Sequence, residues 1–294
     1  MKALVTGCAG FIGSHLTEKL IDRDYEVIGV DCFTDYYSRE LKESNMVGFR
    51  GNIDFIERDI LELDMSLLDD FDVVFHLAAQ AGVRKSWGRE FDVYTRNNVL
   101  ATQRLLEGCK EHGMEKFVYA SSSSVYGNTG LPMREDQYLK PYSPYGVTKL
   151  AGENLCELYR MNFGIDCVSL RYFTVYGERQ RPDMAFHRFI RAIIDGEPIT
   201  VFGDGRQTRD FTYVGDIVDA TTKAGESDAT GVFNVGGGSR IELIEAIKAL
   251  EEVLGEADLR FEKSKKGDVR DTYADISKAK ELLGYEPKVS LREG

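Results

Sequence analysis

The chain has 294 residues, of which 43% are hydrophobic, and at ~150 residues per domain this length allows two lobes or one large α/β domain. Its 49 Asp and Glu residues outnumber its 37 Lys and Arg residues, so the formal net charge is −12. This acidic balance argues against nonspecific binding to nucleic acids or anionic membranes, and any phosphate-bearing ligand must meet locally placed arginines.

The apolar runs, the amino terminus and the cysteines give no sign of export. No apolar run reaches the ~18 residues of a membrane helix, and Met1–Gly7 leads straight into a strand-like segment without a signal peptide. We therefore expect a cytoplasmic protein. The cysteines show no C-x-x-C or Cys/His spacing, so we expect no disulfide framework and no metal site, only reduced packing residues. They are Cys8, Cys32, Cys109, Cys156 and Cys167.

Short β-branched runs alternate with longer segments of helical period as far as about residue 175, which is typical of βαβ units. The predicted strands are Ala3–Thr6, Glu26–Asp31, Ile53–Glu57, Val73–His76, Phe117–Ser121 and Val168–Tyr172. The predicted helices between them are Phe11–Asp24, Tyr94–Glu111 and Pro144–Asn162. This order predicts a doubly wound parallel sheet in an α/β protein.

The pattern is looser beyond residue 175. Helices are predicted at Ala185–Asp195, Gly215–Ala224 and Glu242–Leu254, with a turn at Gly203–Gly205. We interpret residues 1–175 as a cofactor-binding domain and 176–294 as a smaller C-terminal α/β substrate lobe, with part of 215–240 returning to the first domain. The last residues, Leu291–Gly294, have the pattern of a helix that is beginning, so we expect the native chain to continue.

Three glycines, Gly7, Gly10 and Gly13, follow the first strand and open the first helix. Glycines at this turn let the backbone approach a pyrophosphate, which the helix amino terminus favours. Asp31 closes the second strand 18 residues after Gly13, where a carboxylate can accept hydrogen bonds from an adenosine ribose and repel a 2′-phosphate. Alternatively, the glycines only make a tight turn and Asp31 only caps a loop. The presence of both in this strand–helix context favours a Rossmann-type NAD site.

Two later segments fit the same pocket. Asp59 and Ile60 follow the third strand and could hold the adenine edge, although an Asp there is often only a helix cap. Leu77, Ala78 and Ala79 follow the fourth strand, where small side chains either admit the cofactor or simply pack.

Tyr145 and Lys149 lie one helical turn apart on one face of a predicted helix. An ammonium beside a phenol lowers the tyrosine pKa from ~10 toward neutrality, which makes a general base for a sugar or alcohol hydroxyl. The fifth strand ends in the hydroxyls of Ser121–Ser124, placed to share the proton. Tyr145 alone could be a core aromatic, but downstream of the dinucleotide motif we predict a catalytic pair.

These motifs, in this order, resemble the extended short-chain dehydrogenase/reductase family, and within it the nucleotide-sugar 4-epimerases. The resemblance spans essentially the whole chain. It rests on the three glycines, Asp31, His76–Gln80, Ser121–Gly127, Tyr145 with Lys149, Phe202–Gly205, Arg209–Phe211, Gly267–Val269 and Ala274–Asp275.

The resemblance implies an isomerase with bound NAD. Tyr145 takes the proton of the sugar 4-hydroxyl while NAD accepts the C4 hydride, the bound 4-keto intermediate turns over, and the hydride returns to the opposite face. Ser122 takes the place of the catalytic Ser/Thr, and Lys149 also holds the nicotinamide ribose. The implied cofactor contacts further include Phe11, Ile12, Asn98 and Tyr172.

The resemblance also assigns anchors for the UDP part of the substrate. Arg209 and Asp268 resemble pyrophosphate and ribose contacts, although a surface ion pair of Arg209 with Asp210 or Asp216 is the alternative. Lys265 stands where many relatives carry arginine, which leaves Arg270 as the substitute for a bidentate phosphate contact.

The choice of sugar rests on a few positions. Ser123 and Ser124 stand where dehydratases carry an Asp-Glu pair, which favours epimerisation over elimination. Ala79–Arg84 and Arg171–Gly177 are similar to UDP-glucuronate 4-epimerases, and galactose-type relatives usually have asparagine at Thr174. The groups that could bind a C6 carboxylate or the sugar are Arg84, Ser122, Ser123, Ser124, Thr174 and Arg181. UDP-glucuronate and UDP-galacturonate are therefore favoured over UDP-glucose and UDP-galactose.

Other activities stay open. A UDP-glucuronate decarboxylase or another dehydratase would share the 4-keto intermediate, and a non-catalytic NAD-binding regulator would usually lack the tyrosine or the lysine. The helices near 94–111 and 144–162 resemble those that form a four-helix dimer interface in the family, so we expect a homodimer without nucleic-acid or membrane partners.

Overall fold

The computed structural model describes residues 1–114, 116–265 and 267–294. Its strands, in chain order, are β1 Lys2–Thr6, β2 Glu26–Asp31, β3 Asp54–Glu57, β4 Val73–His76, β5 Lys116–Ser122, β6 Asp166–Tyr172, β7 Thr174–Tyr176, β8 Ile199–Phe202, β9 Thr208–Arg209, β10 Phe211–Tyr213, β11 Gly231–Val235, β12 Ile241–Glu242 and β13 Leu259–Glu262. Its helices are α1 Phe11–Ile21, α2 Arg39–Met46, α3 Phe91–Tyr94, α4 Ala101–Glu111, α5 Pro144–Phe163, α6 Ala185–Asp195, α7 Val214–Glu226, α8 Leu243–Leu254 and α9 Ser277–Leu283.

Seven of these strands form one parallel sheet in the order β3-β2-β1-β4-β5-β6-β11. This order confirms the prediction of a Rossmann-type doubly wound sheet. The winding reverses between β1 and β4, and ligands of such sheets bind beyond the carboxyl ends of the strands at that point. The turns after β1, β4 and β5 therefore define the place to look for a site.

The central strands are buried on both faces, as their continuous apolar runs predict. Successive residues of β1 point to opposite sides: Ala3 and Val5 pack with α1 and α7, whereas Leu4 packs with α4 and α5. Helices thus cover both faces of the sheet and hold the strand ends in register.

The remaining strands form three two-stranded pairs beside the main sheet. β7 pairs with β10, β8 with β13, and β9 with β12. α6 and α8 pack on β8 through Phe189, Val201 and Ile247. β11 lies between β10 and β12 in the chain, but it pairs with β6 at the edge of the main sheet.

The structure differs from the prediction at several elements. The predicted helix 94–111 is divided into α3, a π-helical segment at Thr95–Leu100, and α4. α1 ends at Ile21 instead of Asp24, which has a positive φ of 60°. Residues 291–293 form a turn. Within the described residues, no helix combines the length and the apolar character needed to cross a bilayer.

Candidate active site

The turn between β1 and α1 packs directly on the loop that follows β4. Gly7 has a φ of +74°, and a Cβ at this residue would lie 2.8 Å from the backbone nitrogen of Ala78. A Cβ on Gly13 would lie 2.0 Å from the carbonyl oxygen of Gly7. Gly10 is the N-cap of α1 and brings no side chain to cap its N–H groups. Free N–H groups and the helix dipole at this cradle suit a bound pyrophosphate.

The cradle opens into a pocket at the carboxyl ends of β1, β2, β4 and β5, which we call the inner pocket. All but one of the predicted cofactor residues line it: Gly7, Gly10, Phe11, Ile12, Gly13, Asp31, Asp59, Ile60, Leu77, Ala78, Ala79, Tyr145, Lys149 and Tyr172. One wall consists of glycines and small side chains and the other carries Tyr145 and Lys149. The residues present therefore fit an elongated dinucleotide.

Asp31 lies at the end of β2 and accepts a hydrogen bond from the backbone N–H of Phe33 at 2.9 Å. Burial raises the pKa of this carboxyl, while the Lys42 charge and that N–H oppose the shift. The Lys42 ammonium donates to the Thr34 carbonyl at 2.9 Å, and both residues line the inner pocket. The sequence analysis missed Lys42 because α2 is polar and short and was not predicted.

Asp59 is a cap, as one of the two interpretations expects, and it also lines the inner pocket. Its carboxylate caps the short turn after β3 by accepting from the N–H of Leu61 at 2.9 Å. It also forms an ion pair with Arg96 at 2.5 Å and lines the inner pocket.

Asn98 is not among the residues that line the inner pocket, and its predicted contact with the cofactor stays a prediction. Its amide accepts from the N–H of Gln80 at 2.7 Å and donates to the Gln80 carbonyl and the Thr148 hydroxyl, both at 3.0 Å. The π-helical segment turns the neighbouring Asn97 toward the pocket instead. Asn98 therefore holds the loop after β4 against α5.

Tyr145 and Lys149 lie on the first turns of α5. Ser143 caps this helix by accepting from the N–H of Gly146 at 3.1 Å, and Pro144 opens its first turn. Lys149 donates to the Ala120 carbonyl at 2.8 Å, and burial lowers the pKa of its ammonium to about 8.

Burial and two neighbouring groups act on the pKa of Tyr145. Burial raises the pKa of its phenol, and the groups that oppose this are the Ser122 hydroxyl and the Arg181 charge. The Lys149 ammonium is directed to the end of β5 in this structure, and its effect on the Tyr145 pKa stays a prediction. Arg181 comes from the segment after β7, which sequence spacing could not relate to Tyr145.

A second pocket, the middle pocket, adjoins the inner one at Tyr145. It is lined by these predicted substrate residues: Arg84, Ser122, Ser123, Ser124, Thr174, Arg181 and Asp268. The Arg181 guanidinium binds Asp183 through two hydrogen bonds of 3.0 and 3.1 Å, and the Tyr36 hydroxyl donates to the same carboxylate at 3.1 Å. Tyr36 and Asp183 line the pocket but were not predicted, since they lie in irregular segments.

A third pocket, the outer pocket, contains Arg209, Asp268 and Arg270 together with Phe202 and Trp87. The Arg209 guanidinium donates to the carbonyl oxygens of residues 208, 269 and 270 at 2.7–2.8 Å. Among the described residues neither acid considered for it forms an ion pair with Arg209: Asp210 accepts from the N–H of Gly237 at 2.6 Å and Asp216 from the N–H of Lys288 at 3.1 Å. Its charge is therefore available to an anion.

Asp268, Arg270 and Asp204 of the outer pocket are held in ion pairs, whereas Lys265 lies over the Phe202 ring. Arg84 binds Asp268 at 2.7 Å, so two predicted substrate residues hold each other. Arg270 binds Asp204 at 3.0 Å on the exposed rim.

Four of the five cysteines are buried, as expected for packing residues. Cys32 is the exception, because it is exposed and lines the inner pocket. Among the described residues, no group of three or more metal-ligating side chains is arranged to hold an ion.

Comparison with known proteins agrees with this geometry. The NAD dependent epimerase/dehydratase family matches residues 3–236. A Bacillus subtilis (strain 168) protein described as an uncharacterised UDP-glucose epimerase is 48% identical over 100% of this chain and 95% of its own. A UDP-glucuronate 4-epimerase of Thermodesulfobacterium geofontis is 41% identical over 99% of this chain and 93% of its own.

A solved structure extends the likeness to three dimensions. UDP-glucuronic acid 4-epimerase from Bacillus cereus, in complex with UDP-glucuronic acid and NAD, superposes with a TM-score of 0.97. It is 49% identical, and the alignment covers 100% of this chain and 96% of that one.

Proposed function

Since the chain belongs to the NAD-dependent epimerase/dehydratase family, we propose that it is a UDP-sugar 4-epimerase that uses NAD. The observation that carries this proposal is the position of Tyr145, which lines both the inner and the middle pocket. A cofactor in the first pocket and a sugar in the second would meet at its hydroxyl. The activities for which the relatives are named, UDP-glucose and UDP-glucuronate epimerisation, are of the same kind.

NAD supplies the chemistry that a protein side chain lacks, by accepting a hydride from C4 and returning it to the opposite face of the 4-keto sugar. Tyr145 removes the proton of the 4-hydroxyl and gives it back after the sugar has turned. Ser122 hydrogen-bonds the same oxygen, and Lys149 holds the nicotinamide ribose.

The environment of Tyr145 must favour its phenolate during turnover. Burial raises its pKa, so neighbouring positive charge has to compensate, and Arg181 already acts in that sense. The Tyr94 ring packs edge-on at 6.3 Å and its hydroxyl donates to the carbonyls of Ala81 and Gly82. This packing supports the Tyr145 ring from one side.

We further propose that the sugar of the substrate is a uronic acid. UDP-glucuronate and UDP-galacturonate are thus preferred over UDP-glucose and UDP-galactose. The middle pocket offers three serine hydroxyls, Thr174 and the Arg181 guanidinium, which together suit a C6 carboxylate. Arg209 in the outer pocket would bind the pyrophosphate. UDP-glucose remains the second candidate, because a relative with 48% identity is described as a UDP-glucose epimerase.

The division into a cofactor domain at 1–175 and a substrate lobe at 176–294 also stands as a proposal, with β11 and α7 contributed back to the first. We propose a homodimer as well, since α5 carries exposed Leu158, Met161 and Phe163. Sedimentation should give twice the monomer mass of 33.1 kDa, and a monomer alone at micromolar concentration would contradict the dimer.

The test of function is to incubate the purified protein with each UDP-sugar and resolve the products by chromatography. We expect the C4 epimer of UDP-glucuronate to form fastest. Tyr145→Phe should retain bound NAD but lose at least ~100-fold in kcat, because it lacks the general base. Release of carbon dioxide would instead identify a decarboxylase, and the absence of any C4 epimer would refute the proposal.

A further inference from the structure

A buried ion pair lies directly behind the end of β5. Glu153 of α5 and Arg171 of β6 are both only 3% exposed in their side chains. Arg171 donates to both carboxylate oxygens of Glu153, through Nε at 2.9 Å and through Nη2 at 2.8 Å. Neither residue has a role in the proposed reaction, so the pair needs its own explanation.

Stability alone does not supply that explanation. Two charges removed from water gain little net stability compared with apolar side chains of the same volume, although removing one partner is costly. The ion pair also contacts a third residue, Ser121 at the end of β5. The Ser121 hydroxyl donates to the Glu153 oxygen Oε1 that also accepts from Arg171 Nε. Ser121 lines both the inner and the middle pocket and directly precedes Ser122.

The contacts between β5 and α5 follow a simple pattern. Tyr145, Lys149 and Glu153 recur every four residues and therefore share one face of α5. Lys149 holds the Ala120 carbonyl, Glu153 holds the Ser121 hydroxyl, and Tyr145 lines the middle pocket together with Ser122. One face of α5 is thus held against the end of β5 by two hydrogen bonds.

Arg171 is itself held in place across the sheet. It is the register partner of Ser121 on β5 and of Asn234 on β11. Its Nη1 donates to the Tyr126 hydroxyl at 2.8 Å, and that hydroxyl donates to Asn234 at 2.7 Å. The carboxylate of Glu153 is therefore fixed from behind by a chain of buried hydrogen bonds.

We infer that Glu153, oriented by Arg171, is a positioning residue that holds Ser121 and thereby sets the Ser122 hydroxyl opposite Tyr145. Small displacements of reacting groups are costly in rate because the chemistry depends on near-attack geometry. Loss of this contact should therefore lower kcat while leaving substrate and cofactor binding nearly unchanged. The inference rests on the proposed epimerase function.

The test uses two double variants that both remove the buried charges. Glu153→Leu/Arg171→Met deprives Ser121 of its acceptor, whereas Glu153→Gln/Arg171→Met keeps an amide oxygen in its place. We expect kcat to fall at least tenfold in the first, with KM and the NAD content within twofold of wild type. The second should recover most of the rate. Glu157→Leu/Arg160→Met, which removes a half-exposed pair one turn further along α5, should keep the wild-type rate.

Ser121→Ala provides an independent measurement in case a double variant does not fold. It should lose about as much in kcat as the apolar pair, and the two changes combined should cost no more than either alone. A wild-type rate in Ser121→Ala or in the folded apolar pair would overturn the inference, as would a loss confined to KM or NAD content. If wild type itself forms no C4 epimer, the proposed function fails first.

Discussion

The packing of Gly13 against Gly7 makes a quantitative prediction about the cofactor cradle. A Cβ added by Gly13→Ala would lie 2.0 Å from the Gly7 carbonyl oxygen and 2.8 Å from the Gly7 carbonyl carbon. Real Cβ contacts essentially never fall below 3.0 Å, so the Gly7 carbonyl and the first turn of α1 must separate by about 1 Å. Both groups are backbone, and neither can move aside as a flexible side chain could.

The cost follows from the size of that displacement. Overpacking typically costs 1–3 kcal/mol, and a forced backbone shift belongs at the upper end, about 2–3 kcal/mol. If that strain is relieved by moving α1 off the cradle, the N–H groups of the helix lose their alignment with the pyrophosphate. The same energy then appears as roughly 30- to 150-fold weaker NAD binding.

Titration of cofactor-stripped protein with NAD, by calorimetry or fluorescence, measures this directly. Gly51→Ala is the matched control, since no atom lies within 4 Å of its added Cβ, and its affinity should equal that of wild type. An NAD dissociation constant within twofold of wild type in Gly13→Ala would refute the assignment of this turn to the cofactor.

Three further predictions concern charged groups. Asp31→Ala should weaken NAD binding by roughly 10- to 100-fold, because a charged hydrogen-bond acceptor is lost, and should reduce the difference between the NAD and NADP affinities. An unchanged ratio of the two affinities in NAD and NADP titrations would contradict this. Arg209→Lys should raise the KM for UDP-sugar at least ~10-fold with little change in kcat, while Arg191→Lys, in an exposed ion pair away from the outer pocket, should change neither. Burial raises the pKa of Asp210 from 3.8 to about 7, so the folded state binds this proton more tightly and the free energy of unfolding should fall as pH rises from 3.8 to about 7. Urea unfolding of Asp210→Asn should show a flatter pH profile, and an identical slope would count against the shift.

Much of the cofactor half of this protein could be predicted from its sequence. The family, the NAD cofactor and the Rossmann-type sheet are confirmed by the comparisons and the strand order. These properties depend on short stretches of sequence. Gly7, Gly13 and Asp31 can be recognised by their residue type and by their distance from the ends of strands. The structure places them in one pocket because parallel strands end at the same edge of the sheet.

The missed features depend on contacts between distant segments. Strands such as β9 and β12 have two residues each, which is too short for any hydrophobic periodicity. Lys42 and Tyr36 lie in polar segments that reach the site only after folding. Arg181, whose charge lowers the pKa of Tyr145, lies 36 residues later in the chain, so local spacing could not relate the two residues.

The central claim, redox inversion at C4 within one closed site, is tested most directly with UDP-glucuronate that carries deuterium at C4. The product epimer should retain that deuterium at C4, because the hydride leaves and returns without reaching solvent. Nuclear magnetic resonance of the purified product reads the label. A C4 epimer that has exchanged its deuterium for solvent hydrogen would contradict the account.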